Sequence, residues 1–314
     1  MAGLNPVKCR LPTGTPQCGS VPVSVLIPAK NEQDNIGDCV RSVAWSDDVV
    51  VVDSRSTDET CLRASRLGAR IVQFEYTPGG LKKKNWALKN VDFKYEWILI
   101  LDADERVTPP LAAEIAQVVC QPSNPCVGYY INRRFYFLGR WIRHAGYWPS
   151  WNLRLLRRGF GEYEFVPDPS PQGGDNEVHE HVILRGPAGW LRECIEHYAY
   201  PDVRTFVEKH CRYAAWEARV SDSYLLGNGV THLPWALRAR RFAKRIARKT
   251  PFADLWRFVY HYILKGGFLD GAAGYVFCRL LAEYEFLILA HTIERRMHLA
   301  SEPRPNRVGN EGPR

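Results

Sequence analysis

Four short runs of β-branched and apolar residues alternate with helical patterns near the start of the chain, and this alternation strongly constrains the fold. The runs cover residues 23–27, 49–53, 70–74 and 97–102. Between the first two runs, apolar residues from Ile36 to Ala44 recur at helical spacing. Parallel strands require such crossover connections, whereas hairpins do not. The sequence therefore predicts an α/β fold built on a mostly parallel sheet with flanking helices.

The pattern changes twice further along the chain. Segments rich in aromatic residues and arginine cover about 125–200, and helical patterns follow at 202–220, 234–249, 251–265 and 272–297. We divide the chain accordingly into a flexible N-terminal extension (1–21), an α/β domain (22–200), a helical C-terminal region (201–300) and a disordered tail (301–314).

Composition excludes several classes of protein. Of the 314 residues, 46% are hydrophobic and 24% charged, which is typical of a globular chain. The nine cysteines are odd in number and form no C-x-x-C pair, so we expect no disulfide framework, no zinc knuckle and a reducing compartment. Acidic and basic residues interrupt every long apolar stretch, so we expect no membrane-spanning helix. The net charge of +8 favours anionic partners.

Polar residues follow three of the predicted strands, at the point where each strand ends. The clusters cover residues 28–32, 53–58 and 102–105. One such cluster alone is typical of a helix cap or a solvated turn. We also expect Ser56 and Glu59 to form a capping box that starts a helix. Three clusters at the carboxyl ends of parallel strands, however, should converge where open α/β sheets bind their ligands.

The residue types in these clusters suit a nucleotide diphosphate. Asp102 and Asp104, spaced i and i+2, can share Mg²⁺ or Mn²⁺ with phosphate oxygens. Asp53 can accept hydrogen bonds from a pyrimidine or a ribose, and Asn31 and Glu32 can frame the same base from the neighbouring strand.

The series P-A-K-N-E, D-S-R-S-T-D-E-T and D-A-D-E resembles the nucleotide-sugar-binding half of inverting family 2 glycosyltransferases of GT-A fold. Four further motifs resemble the subgroup that includes lipopolysaccharide-core β-1,4-glucosyltransferases. They lie at 138–141, 153–159, 178–180 and 267–271. The resemblance covers about 23–295, and it implies a GT-A fold and inversion at the anomeric carbon.

The resemblance also implies roles for individual residues. Asp104 falls on the metal-ligand position, where Asp102 lies beside it. The donor-nucleotide positions fall on Pro28, Ala29, Asn31, Glu32, Asp53 and Asp102. The chain departs from many relatives at residues 53–56, where D-S-R-S replaces D-D-G-S, which leaves the base contact of Asp53 open.

Two further groups are candidates for the diphosphate. Lys84 and Asn85 match a basic-Asn pair of relatives at the predicted start of a helix, although a solvated helix face is the alternative. Arg154, on a predicted strand, can neutralise a diphosphate or form an internal salt bridge.

Catalysis also needs a general base that deprotonates the acceptor hydroxyl. Glu180 is our candidate, because it follows a loop rich in Pro and Gly and matches the V-H-E of the subgroup. Glu177 is its nearest rival. His197 either completes the metal shell, as a distant His does in some relatives, or forms structural hydrogen bonds.

A strongly cationic segment lies in the C-terminal region. It has seven Lys or Arg residues and no acid between 238 and 249, interleaved with Phe242 and Ile246. On a helix this pattern favours binding to anionic lipid, and a merely solvated face is the alternative. No motif for reading nucleic acid accompanies it, so we expect no nucleic-acid partner.

These observations predict an inverting, metal-assisted glycosyltransferase. Its donor would be a nucleotide-diphosphate sugar, most simply a UDP-sugar, and its acceptor a glycolipid or a lipopolysaccharide-core oligosaccharide. We expect it in the cytoplasm, peripheral on the inner face of the cytoplasmic membrane. The alternatives are a nucleotidyltransferase on a similar sheet and a non-catalytic basic membrane-binding protein.

Overall fold

The computed structural model describes residues 21–164, 182–226 and 252–301. The first four strands pair in parallel, in the order β3-β2-β1-β4. Their bounds are Val23–Ala29 (β1), Asp48–Asp53 (β2), Arg70–Gln73 (β3) and Trp97–Ile100 (β4). All four lie where the sequence predicts them, and β2 is buried along its whole length because helices cover both faces of the sheet.

The same sheet continues with largely antiparallel pairings in the order β4-β8-β6-β11-β5. Only β6 and β11 run parallel to each other in this half. The strands are Glu105–Val107 (β5), Gly128–Phe137 (β6), Arg140–Trp141 (β7), Trp151–Arg157 (β8), Gly161–Tyr163 (β9), Val182–Leu184 (β10) and Ala188–Tyr200 (β11). β7 extends β6 as a hairpin, and β9 and β10 form a separate two-stranded sheet.

Helices flank the sheet and then form a C-terminal region, so the expected fold class is confirmed. The first four are Ile36–Ser42 (α1), Thr60–Arg66 (α2), Lys83–Asn90 (α3) and Pro109–Val119 (α4). The C-terminal region contains Val203–Leu226 (α5), Ala253–Phe258 (α6), a π-helical turn Val259–Leu264, a 3-10 turn Gly267–Asp270 and Gly271–Ser301 (α7). These elements correspond to three of the predicted helices, with the segment 251–265 divided between α6 and the π turn.

The predicted capping box at Ser56 is wrong. The Ser56 hydroxyl donates to the Asp53 carboxylate, and α2 begins four residues later at Thr60. There the Asp58 carboxylate accepts from the Thr60 backbone N–H at 2.9 Å. Ser56 is therefore part of the turn after β2 rather than a helix cap.

The motif at 267–271 joins the C-terminal region to the loop after β7. Asp270, which is 3% exposed, accepts hydrogen bonds from the backbone N–H groups of Arg143 and His144 at 3.3 and 2.9 Å. Its other contact is the His144 Nδ1 atom at 2.9 Å. A Cβ atom on Gly274 would lie 2.1 Å from the Gly267 carbonyl oxygen, so α7 packs against this turn only with glycine there.

Several predictions concern residues outside the described ranges. These predictions are for the N-terminal extension, the segment with Glu177 and Glu180, the predicted helix 234–249 with its cationic residues, and the tail. Within the described ranges, no helix is both long and apolar enough to cross a membrane.

We expect Asp270→Ala to lower the free energy of unfolding by about 2–4 kcal/mol, because it leaves two backbone N–H donors without their acceptor in a buried site. Denaturant unfolding measures this loss. The matched control is Asp254→Ala, in the first turn of α6. Equal, small losses in the two variants would show that Asp270 does not fasten the loop.

Candidate active site

A cavity of about 870 Å³ opens at the carboxyl ends of β1 and β4. Strands β6, β8 and β11 and helices α3, α5, α6 and α7 contribute further lining residues. Among the described residues its lining has three times as many cations as carboxylates, so it suits an anionic ligand. The carboxylates are Glu32, Asp102 and Asp104, and the cations are Lys30, Lys83, Lys84, Arg133, Arg154, Lys209, Arg212, Arg219 and Arg257.

Asp102 follows β4 and is held by two cations. Its carboxylate lies 2.5 Å from the Arg154 guanidinium and 3.0 Å from the Lys84 ammonium. Burial opposes ionisation of Asp102, but these two cations outweigh it and hold the pKa of this carboxyl well below its usual range. Arg154 also contacts the fully buried Glu105 at 2.7 Å, so it forms the internal salt bridge that the sequence left as one of two alternatives.

Asp104 lies two residues further and faces a different partner. Its carboxylate is 3.4 Å from the His197 Nε2 atom and 3.9 Å from the Lys209 ammonium. Burial by itself raises the pKa of Asp104, but His197 and Lys209 outweigh it and lower the pKa to about 2. Residues 101–104, which join β4 to β5 and contain Asp102 and Asp104, form the acidic turn. His197 reaches Asp104 because β11 pairs with β5, directly after this turn.

The turn after β2 binds the turn after β1. The Asp53 carboxylate accepts from the Ser56 backbone N–H at 2.9 Å, and the Ser56 hydroxyl accepts from the Asn31 backbone N–H at 2.8 Å. The Asn31 side-chain oxygen accepts in turn from the Thr57 backbone N–H at 2.9 Å. Asn31 and Arg55 both have positive φ, near 55°. Asp53 is fully buried, and neither Asp53 nor Asn31 is among the residues that line the cavity.

Glu32 does line the cavity, beside the other carboxylates. Its carboxylate is 3.5 Å from the Lys209 ammonium and accepts from the Asn35 amide at 2.8 Å. Burial raises the pKa of Glu32 above its ordinary value, although Lys209 opposes this shift. Pro28 and Ala29, at the end of β1, form the wall next to it.

The start of α3 is buried, so the alternative of a solvated cationic face is wrong. Lys82, Lys83 and Lys84 are each at most 8% exposed. Lys83 donates to the Ala29 carbonyl at 2.9 Å, and both residues line the cavity. Asn85 bonds the backbone of Tyr163 in both directions at 2.8 Å, which ties α3 to β9, and it does not line the cavity.

Sequence patterns did not single out Lys209 or Arg133. Lys209 lies on α5, more than 100 residues after the acids that it contacts, in a helix whose pattern marks no site. Arg133 lies on β6 and contacts Glu105 at 3.4 Å. Only the chain topology brings these cations to the carboxyl ends of β1 and β4, so no local signal predicted them.

We expect Arg154→Met to lower the free energy of unfolding by about 3–5 kcal/mol, because it leaves the buried Glu105 and Asp102 without their shared partner. The matched control is Arg157→Met on the same strand, whose ion pair with Glu96 is more exposed and is worth about 1 kcal/mol or less. Chemical denaturation measures both. Equal losses would contradict the structural role of Arg154.

Several known glycosyltransferases are similar to this chain. The lipopolysaccharide core biosynthesis glycosyltransferase LpsC of Rhizobium meliloti is 32% identical over 55% of this chain, and the match spans 61% of LpsC. An uncharacterized glycosyltransferase of Rickettsia bellii is 26% identical over 85% of each chain. Among solved structures, the mannosyltransferase PcManGT of Pyrobaculum calidifontis, in complex with GDP-Man and Mn²⁺, matches 92% of each chain at 16% identity with a TM-score of 0.45.

A family model matches the part of the chain that includes the parallel half of the sheet and the acidic turn. The profile described as "Glycosyl transferase family 2" matches residues 24–181, which is half of the chain. This chain therefore belongs to glycosyl transferase family 2.

Proposed function

We propose that this enzyme transfers a sugar, with inversion, from a nucleotide-diphosphate sugar to a hydroxyl group of a glycolipid or lipopolysaccharide-core acceptor. The observation that carries the proposal is the turn after β4, where Asp102 and Asp104 reach a cation-rich cavity beside His197. The name of its relative LpsC supports the class of acceptor.

The cations of the cavity suit the diphosphate of the donor. Lys83 and Lys84 lie at the N-terminus of the eight-residue helix α3, where backbone N–H groups add positive potential. Arg154 acts mainly through Asp102, which it holds ionised and oriented. In this proposal the nucleoside, most simply uridine, lies against Pro28, Ala29 and Glu32. Asn31 and Asp53 hold this wall in place through their contacts with Ser56 and Thr57.

The residues at Asp104 fit a divalent cation. Mg²⁺ and Mn²⁺ in such sites take one or two protein carboxylates and complete their shell with water and phosphate oxygens. Within the described ranges no three His, Cys, Asp or Glu side chains form a ready metal site, but Asp104 and His197 form an adjacent carboxylate-imidazole pair. We propose that Asp104 and His197 bind the cation, with Asp102 beside them. When bound, the cation would supply positive charge that stabilises the departing nucleoside diphosphate.

Glu180 is the proposed general base. It lies two residues before Val182, where β10 begins, and the segment that carries it starts just after β9. Tyr163 and Val182, the last residue of β9 and the first of β10, both line the cavity. The described residues nearest to Glu180 on either side therefore lie at the cavity, which supports the proposal that Glu180 deprotonates an acceptor hydroxyl bound there.

The acceptor and the place of action complete the proposal. A lipid-linked acceptor requires the enzyme to act at a membrane, and we propose a peripheral position on the inner face of the cytoplasmic membrane. The seven cations between 238 and 249 support it, because each cation near an anionic bilayer contributes about 1 kcal/mol to binding.

We expect Asp104→Asn to lower Mn²⁺-dependent turnover of the donor by at least about a hundredfold, because the amide removes the negative charge that binds the cation. Thermal unfolding with UDP, with and without Mn²⁺, gives an independent readout. Wild-type protein should gain additional stability from UDP when Mn²⁺ is added, and the variant should not. The same gain in both proteins would exclude Asp104 as a metal ligand.

We expect Glu180→Gln to lower the rate of sugar transfer by about a hundredfold or more, because glutamine cannot accept the proton of the acceptor hydroxyl. Stabilisation by UDP and Mn²⁺ should remain unchanged. Glu177→Gln is the matched control and should retain most activity. If Glu177→Gln alone abolishes transfer, Glu177 is the base.

A further inference from the structure

An exposed apolar surface lies on the C-terminal region. Eight large hydrophobic side chains between Phe252, the residue before α6, and the end of the two turns after α6 are between 47% and 72% exposed. They are Phe252, Leu255, Trp256, Tyr260, Ile263, Leu264, Phe268 and Leu269, and we call them the apolar face. In the helical part they recur three and four residues apart, which places them on one side of the segment.

The opposite side of the same segment is fixed to the body of the protein. Ala253 is buried, and Phe258 and Tyr262 pack against the core cluster that contains Phe277. The His261 Nδ1 atom lies 2.7 Å from the Ala145 carbonyl oxygen. The segment is therefore held in place while its apolar face points outward. Exposed apolar patches of this extent mark interaction surfaces in soluble proteins.

We propose that the apolar face inserts into the headgroup region of an anionic lipid bilayer. Trp256 and Tyr260 have the amphipathic rings that concentrate at membrane interfaces. The Lys265 ammonium lies 5.5 Å from the centre of the Tyr260 ring, so a cation accompanies the apolar side chains. In the sequence, only two residues separate Phe252 from Lys249, the last of the seven cations between 238 and 249. Apolar side chains beside a concentration of cations are the combination that binds anionic bilayers.

The apolar face and the cavity share one helix. Arg257 lies next to Trp256 on α6, and its side chain lines the cavity and pairs with Glu285 at 2.7 Å. Insertion of the apolar face would therefore hold the cavity near the membrane surface. That a lipid-linked acceptor is met there rests on the proposed function, whereas insertion itself does not.

The test is co-sedimentation of the full chain with phosphatidylcholine vesicles, prepared with and without phosphatidylglycerol. We expect the double variant Trp256→Ser and Leu264→Ser to partition at least about tenfold more weakly into phosphatidylglycerol vesicles, because two large apolar side chains are lost. The difference should persist at high salt, where contacts between charges are screened. Leu62→Ser, a control at a 47% exposed leucine on α2, should partition like wild type.

Two results would overturn the proposal. Unchanged partition of the double variant would mean that the apolar face does not enter the bilayer, and that the cations alone hold the protein there. A wild-type dimer that dissociates in the double variant, measured by light scattering, would assign the apolar face to a second copy of the chain.

A separate readout distinguishes this proposal from the proposed function. Stabilisation by UDP and Mn²⁺ should be the same in wild type and the double variant, because neither substituted residue lines the cavity. Vesicle binding without sugar transfer by wild type would refute the function and leave the membrane surface standing. Loss of nucleotide stabilisation in the double variant, with partition unchanged, would refute the membrane surface.

Discussion

The ion network around Arg154 holds the two halves of the sheet together at the point where the candidate site forms. Arg154 lies on β8, and its guanidinium contacts Asp102 after β4 and Glu105 at the start of β5. Lys84 adds a contact from α3. A buried arginine is costly unless its charge is compensated, and here two carboxylates compensate it. The same contacts fix the backbone of the acidic turn, so the position of Asp104 depends on a network to which it does not itself belong.

The change from parallel to antiparallel pairing explains why the site lies at this turn. In the parallel half, the strands deliver their polar ends to one edge of the sheet. Ala29 pairs there with Asp53, and β4, which Asp102 follows, pairs with β1 on its other side. Beyond β4 the sheet continues through β8, β6 and β11, which are not consecutive along the chain, so residues distant in sequence arrive at the same edge. His197 meets Asp104 in this way. The parallel half thus supplies the acids. The second half of the sheet supplies the imidazole, Arg133 and Arg154, and the C-terminal helices supply the other three arginines of the cavity.

Local sequence predicted the acids that follow the parallel strands far better than the contacts made by residues from the second half of the sheet. Strands β1 to β4 and their polar ends were predictable because a buried parallel strand leaves a continuous apolar run that stops abruptly. Arg154 and His197 were recognised as candidates, but their partners depend on which strands pair, and residue spacing does not contain that information. Lys209 was missed altogether, because one lysine on an amphipathic helix looks the same whether it faces water or Glu32. The capping box failed for a related reason: the Ser56 hydroxyl donates to Asp53 and accepts from the Asn31 backbone N–H, so it does not accept from a helix N–H.

The C-terminal region connects the chemistry of the cavity to its surroundings. Asp270 holds the loop after β7, and that loop leads to Tyr147 and Ser150, which line the cavity. The π turn after α6 is fixed to the same loop through His261. A displacement of α6 would therefore be transmitted to the cavity through packed contacts rather than through a flexible linker. Exposure of an apolar face to water is unfavourable, because apolar surface stabilises a protein only when it is removed from water. Helix α6 supplies Arg257 to the cavity and Trp256 to the surface, and this arrangement agrees with the proposal that the acceptor reaches the enzyme from a membrane.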